Sequence, residues 1–270
     1  TAFRTAVVAA ARAGAVFPVR DNETLEEMIE RMVPLFLDPD LDSIVTNKSP
    51  GPGQDLLLSS ANNLYKEVSI ADLDGFDEQY PLTSRLVKVE GELVEEVYKI
   101  GGRYSDEISE IIRHLAAAIP FASGPMARAL RANIAYYQTG APVDQRAYDI
   151  AWVEDQSSSV DTINGFTEVY MDARGAKGSW EALVFYVNPE KTGAIRTLAA
   201  NAQWFEDRMP WNPEYRKEGV VGITANAIDV VVETGDSGPV TPIGINLPND
   251  QTVRERYGSK SVSLANVNDA

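Results

Sequence analysis

Apolar positions recur at helical spacing through the first half of the chain and give way to alternation in the second. Met28, Ile29, Met32, Val33 and Phe36 fall on one helical face behind Thr24 and Glu27, a pair spaced as a capping box, and Asp38-Pro39 predicts the end of that helix. Asn47–Gly53 reads NKSPGPG and predicts a loop on its Pro and Gly content. Ser105 is placed to cap a second helix whose apolar face is Ile108, Ile111, Ile112 and Leu115. Asp106 and Glu107 lie at its positive end, Arg113 and His114 nearer its negative end. A third helix is expected from Pro125 to about Tyr137, closed by Gly140. The first 150 residues are therefore expected to be mainly helical.

After the serine cluster Ser157–Ser159 the period changes. Phe166-Thr-Glu-Val-Tyr170 alternates and Glu181–Asn188 (EALVFYVN) is β-rich, so two strands are expected, with the Gly-containing stretch Asp172–Gly178 as their hairpin connection. Asn188 and Pro189 open a strong predicted helix that places Ile195, Leu198, Ala199, Ala202 and Phe205 on one face and ends before Pro210. Ile228–Glu233 and Pro242–Asn246 read as further strands, separated by the turn Gly235-Asp-Ser-Gly-Pro239. The expected fold class is α+β, with helices packed around a small, mostly antiparallel β-sheet or β-barrel.

Composition narrows the function. A chain of 270 residues can form one large domain or two smaller ones with a sizeable core. A net charge of −16 argues against nucleic acid as a partner, because phosphates need a basic footprint. The absence of cysteine excludes a disulfide scaffold and a thiol nucleophile. The apolar run Thr5–Phe17 is interrupted by Arg12 and is too short to span a membrane, and no initiator Met or basic leader precedes it. A cytoplasmic protein without membrane contact is expected. Beginning at Thr1 and stopping at Ala270 inside a polar segment, the chain reads as a piece of a longer one.

Two stretches carry the candidate chemistry. On a strand, residues two apart share a face, so Phe166, Glu168 and Tyr170 are expected to form one row. That row reads either as an exposed strand face or as an anionic cradle for an ammonium group, with the phenol as a nearby donor. In Asn246-Leu-Pro-Asn249, Pro248 stiffens a bend that either presents two amides to a ligand or satisfies its own backbone as an Asx-turn. Gly235-Asp-Ser-Gly238 matches a serine-protease tetrapeptide, but Asp, Ser and Gly are also what a strand-connecting turn prefers. Glu168 and Glu181, with four tryptophans as sugar platforms, would suit a glycosidase pair. Phosphate-loop, dinucleotide and EF-hand patterns are missing.

Several segments in order resemble bacterial dipeptidyl peptidase III, the M49 zinc metallopeptidases. They are Asn63-Leu-Tyr65, Ser84–Lys88, Tyr98–Gly102, Tyr104–Glu107, Gly165–Tyr170, Gly178–Glu181, Gly244–Asn249 and Gly258–Leu264. The resemblance runs from about Asp38 to the end. It implies a two-lobed peptidase that removes dipeptides from the amino terminus of short peptides, with one lobe built on a five-stranded barrel and present here incompletely. It implies a barrel-containing lobe over residues 1–188, a helical segment of the zinc-bearing lobe over 189–228, and a return to the barrel lobe over 229–270. By the same resemblance Glu168, Asn246 and Asn249 would bind the peptide's ammonium and Tyr170 would steady the scissile carbonyl. Glu181 would be a further cleft acid, and Gly244 part of the strand along which the peptide docks by β-augmentation. The family's cofactor is zinc, held by an HExxGH or HExxxH motif and a later glutamate. No part of that motif occurs in this chain, whose only histidine is His114, so no metal ligand is expected here and this fragment alone is expected to be inactive. A non-catalytic peptide-binding homologue is the alternative.

Overall fold

A computed structural model describes residues 2–37, 45–220, 223–238 and 242–268. The expected helix stop at Asp38-Pro39 and the last residue of the expected turn, Pro239, lie outside the described residues. The chain divides into two compact units, residues 1–45 and 46–270.

In the first unit, α1 (Ala2–Arg12) and α2 (Leu25–Leu37) bury Val7, Met28 and Ile29. The capping box forms as its spacing demands. Thr24 N donates to Glu27 Oε2 at 2.8 Å, and Glu27 N returns to Thr24 Oγ1 at 3.2 Å.

The second unit opens with a three-stranded sheet where helix was expected: β1 (Tyr65–Lys66), β2 (Ser84–Val89) and β3 (Glu92–Val97). β2 and β3 form a hairpin in which Val89 faces Glu92 across Glu90 and Gly91, at φ 51° and 89°. Two consecutive positive φ values give a turn whose twist matches paired strands. Leu86 and Val87 are buried, with Leu93 packed against the Leu86 cluster, while Lys88, Glu92, Glu95 and Glu96 supply charged positions.

Three helices follow: α3 (Ser105–Ala118), α4 (Gly124–Thr139) and α5 (Pro142–Glu154). Tyr104, not Ser105, is the first cap; Ser105 Oγ instead accepts from Gly101 N at 2.9 Å. Gly140 closes α4 at φ 66°, where any Cβ would press on Val97 Cγ1 at 2.8 Å. α5 carries no obvious apolar period and was not expected from the sequence.

The main sheet holds β4 (Val160–Glu168), β5 (Ser179–Val187), β6 (Ile223–Gly235), β7 (Gly244–Leu247) and β8 (Ser259–Leu264) in the order β4-β5-β6-β8-β7. Only β6 and β8 run parallel. The expected helix after Asn188 breaks at Asn201 into α6 (Pro189–Ala200) and α7 (Ala202–Glu206), and its expected apolar face leaves Leu198 and Phe205 exposed. Asn188 caps α6 by accepting from Lys191 N at 3.1 Å. Asp250 caps α8 (Gln251–Tyr257), and α9 (Ala265–Asn268) ends the described chain.

The fold is thus α+β with two sheets. The barrel does not close: among the described residues β4 and β7 are free edges of an open sheet. The sheet nevertheless curls strongly. Lys260 on β8 reaches Asp161 on β4 at 3.0 Å, although two strands separate them. Inside the curl Ile163, Leu183, Phe185, Ile228, Val262 and Leu264 pack with Trp152 of α5. α4 and α5 cover the β4 edge: Asn133 Nδ2 donates to the otherwise free Asn164 carbonyl at 3.0 Å. Helix therefore lies where a closing strand pair would. No helix among the described residues is long and apolar enough to cross a membrane.

Candidate functional site

The end of β4 departs from strict alternation. Phe166 faces Trp180 and Glu168 faces Ser179, so Thr167 is an extra residue in a β-bulge. The expected row of Phe166, Glu168 and Tyr170 is broken there. Phe166 goes into the core against Tyr98, with ring centroids 4.8 Å apart, while Tyr170 emerges past the strand at 67% exposure. The bulge re-aims Glu168, and it faces Tyr170 at the mouth of a cavity.

The connection carrying Tyr170 is pinned from below by the small sheet. Buried Asp172 accepts from the backbone N–H of Arg174, Ala176 and Lys177 at 3.1, 2.8 and 2.8 Å and from the Tyr65 hydroxyl at 2.9 Å. The Met171 carbonyl accepts from Thr46 Oγ1 at 2.8 Å and Asn62 Nδ2 at 2.7 Å. Lys177, fully buried, meets Glu78 at 2.6 Å and donates to Ser84 Oγ on β2 at 2.9 Å. A loop this heavily tied presents its phenol from a fixed backbone.

The other wall comes from the bend after β7. The Leu247–Pro248 peptide bond is cis, Asn249 is exposed, and Asp250 is held by Arg146 Nε of α5 at 3.0 Å. Glu168, Tyr170 and Asn249 line one cavity of about 500 Å³, together with Arg146, Tyr148, Asp149 and Trp152 from α5. Burial raises the Glu168 carboxyl above the ordinary carboxylate range; Tyr170 and Asn249 oppose this as hydrogen-bonding partners of the ionised form. The Glu168 charge in turn pushes the Tyr170 phenol up. Acid, phenol and amide therefore act on one another, as parts of one site do.

The remaining candidates lie elsewhere. Asn246 does not line the cavity; its Nδ2 donates to Ser261 Oγ of β8 at 2.6 Å. Glu181 is 5% exposed, and the Ser237 hydroxyl donates to its Oε2 at 2.7 Å, which makes the GDSG serine a turn residue in service of that acid. The Glu181 carboxyl is raised by burial, with the Glu168 and Asp236 charges adding to it, so it sits behind Glu168 as a buried acid. Gly244 is exposed on edge strand β7, where an added Cβ would come within 3.1 Å of the Val262 carbonyl.

The sequence did not single out the α5 residues Arg146, Tyr148 and Asp149, and Trp152 was weighed only as one of four sugar platforms. Their i, i+3 and i+4 spacing was the available signal, hidden because α5 lacks an apolar stripe. Among the described residues no group of three or more His, Cys, Asp or Glu is placed to hold a metal ion. His114 is exposed on α3, its Nε2 accepting from Arg113 at 2.8 Å. The donor set among the described residues does not fit a zinc site.

A family model described as "Peptidase family M49" matches residues 58–270. Dipeptidyl peptidase 3 of Dictyostelium discoideum is 31% identical over 169 residues, which is 62% of this chain and 24% of that protein. Two solved structures are similar, each 22% identical over 77% of this chain and 41% of theirs. They are dipeptidyl-peptidase III from Corallococcus sp. strain EGB, with a TM-score of 0.67, and DPP III from Caldithrix abyssi, at 0.68. At that identity the likeness concerns the fold. The chain spans about a quarter of the length of the curated relatives it matches.

Proposed function

The chain belongs to peptidase family M49, and from that premise we propose that it is the substrate-binding part of a zinc-dependent dipeptidyl peptidase acting on short peptides. The observation that carries this reading is the convergence of Glu168, Tyr170 and Asn249 on one cavity. Ionised Glu168 offsets the charge of the peptide's ammonium, and the Asn249 carbonyl accepts another of its protons. The Tyr170 hydroxyl donates to a peptide carbonyl oxygen and follows it as charge builds there. With the amino end fixed at Glu168, the reach to Tyr170 sets how many residues precede the cut.

The free edge of β7, with Gly244, offers backbone groups for an added strand, whereas the β4 edge is covered by α4 at Asn164. In this reading Asn246 keeps its Nδ2 on Ser261 and offers its Oδ1 to the ammonium, and Glu181 supports the negative potential from behind. Residues 189–228 belong to the zinc-bearing lobe, and 1–188 with 229–270 to the lobe that holds the peptide. The metal, supplied by ligands outside this chain, would activate water. The protein is placed in the cytoplasm.

The test is product identity. Full-length protein incubated with a hexapeptide should release dipeptides from the amino end, and Glu168→Gln should lower kcat/KM by about a hundredfold, the loss of one charge-assisted contact of about 3 kcal/mol. Release of single residues or tripeptides would overturn the assignment of the amino-terminal site.

A further inference from the structure

Tyr170 is so exposed that packing of its ring does little to place it, and the placement falls to the backbone beneath. That backbone is two consecutive turns. Asp172 N donates to the Val169 carbonyl at 3.1 Å, which puts Tyr170 and Met171 at the centre of the first turn. Gly175 N donates to the Asp172 carbonyl at 3.1 Å and closes the second. Asp172 is the residue the two turns share. Its fully buried carboxylate gathers the N–H groups of Arg174, Ala176 and Lys177, and a fourth hydrogen bond comes from the Tyr65 hydroxyl of β1, 107 residues away in the chain. Taking a carboxylate wholly out of water is costly unless its lone pairs are used, and four donors use them here. The Tyr65 hydroxyl accepts in turn from Arg174 Nη1 at 3.3 Å, and Glu78 pairs with both Arg174 and Lys177. The Tyr65 ring packs against the cluster of Leu57, Val68 and Leu86, and its backbone pairs with β2 at Leu86. The turns are thus bonded to a packed sheet and not only to themselves.

We propose that Asp172 and Tyr65 are positioning residues for Tyr170, holding the Val169–Asp172 turn where its phenol meets the peptide carbonyl. This rests on the reading of Tyr170 above. Neither side chain lines the cavity, so neither touches the peptide. Burial, and then the Asp172 charge, push the Tyr65 phenol up, so near neutral pH it keeps its proton and donates. Without that hydroxyl Asp172 loses its one side-chain donor, and the turn shifts relative to Glu168. The ammonium end is held by Glu168 on β4 and Asn249 after β7, which do not depend on the turn.

The experiment is steady-state kinetics of the full-length protein on one short peptide, for the wild type, Tyr65→Phe, Tyr170→Phe and the double variant. Tyr65→Phe keeps the packed ring and removes only the hydroxyl. It should lower kcat about tenfold and change KM by less than about twofold, because a small misplacement of a group that acts in the transition state costs rate and not binding. In the Tyr170→Phe background the same substitution should cost nothing further. A general loss of folded protein would instead lower kcat by the same factor in both backgrounds. Asp172→Asn, which exchanges one accepting oxygen for a donor, should repeat the pattern with a larger fall. An unchanged kcat in Tyr65→Phe, or an equal loss with and without the Tyr170 hydroxyl, would overturn the proposal while leaving the Tyr170 reading in place. If Tyr170→Phe itself leaves kcat unchanged, the Tyr170 reading falls and this proposal with it.

Discussion

Lys260→Met isolates the charge pair that spans the curl of the main sheet. Lys260 is 2% exposed, its Nζ lies 3.0 Å from Asp161 Oδ2 and 4.5 Å from the Trp152 ring centroid. Asp161 also accepts from Trp152 Nε1 at 2.9 Å and from Thr162 N at 2.7 Å, so the substitution leaves a buried carboxylate with two neutral donors and no cation. Breaking a buried pair from one side costs about 3–5 kcal/mol, and methionine keeps most of the stem's volume, so the cavity contribution is small. For a chain of this size, a loss of about 4 kcal/mol lowers Tm by roughly 8–16 °C.

The pH dependence supplies the stronger test. Burial already raises the Asp161 carboxyl, with Lys260 the leading opposing influence, so removing the lysine raises it further. An acid whose folded pKa lies above its unfolded value stabilises the fold below the unfolded pKa, and that contribution is lost as pH rises through the folded pKa. The Lys260→Met defect should therefore be largest at pH 8 and shrink toward pH 5, read by near-UV circular dichroism melts. Adding Asp161→Asn should recover much of the loss at pH 8. A defect under about 1 kcal/mol at both pH values, or a larger one at pH 5, would refute the account of the clasp.

Two further outcomes follow from the described geometry. Gly235→Ala places a Cβ 2.3 Å from the Trp180 carbonyl oxygen at φ 72°, whereas Gly91→Ala, at φ 89°, meets nothing within 4 Å. Urea unfolding should therefore show a loss of about 1–2 kcal/mol for Gly91→Ala, the left-handed strain alone, and a clearly larger one for Gly235→Ala; equal losses would remove the steric argument. Glu168 is raised, so peptide affinity should climb as pH rises through its midpoint and fall again as the peptide's α-amino group deprotonates near about 8. Glu168→Gln should flatten only the acid limb.

The sequence spoke most clearly where one local rule sufficed. Thr24 with Glu27, Gly140 at a helix end, and Asn188 ahead of Pro189 all act as written. It was misleading where tertiary packing decides. β2 (SRLVKV) and β3 (ELVEEV) carry charges on short apolar runs and join through Glu90-Gly91, a weaker turn signal than Asn-Gly, so they passed unseen in a stretch expected to be mainly helical. α5 hides its buried Tyr148, Trp152 and Val153 among polar neighbours, and with it the cavity residues Arg146, Tyr148 and Asp149 were lost. Glu168, Tyr170 and Asn249 were legible as chemistry, but the bulge at Thr167 that aims Glu168 was not. Asn246 was legible as chemistry too, but not its placement: three residues from Asn249, it does not line the cavity, and its Nδ2 is held by Ser261 on the neighbouring strand.

The most direct measurement compares the binding of one short peptide with that of its N-acetylated form to the full-length protein and to Glu168→Gln. A cavity that holds an ammonium at Glu168 predicts that acetylation weakens binding to the wild type by about a hundredfold and changes little in the variant, whose affinity for the free peptide is already low. Equal binding of the free and acetylated peptides to the wild type would contradict it.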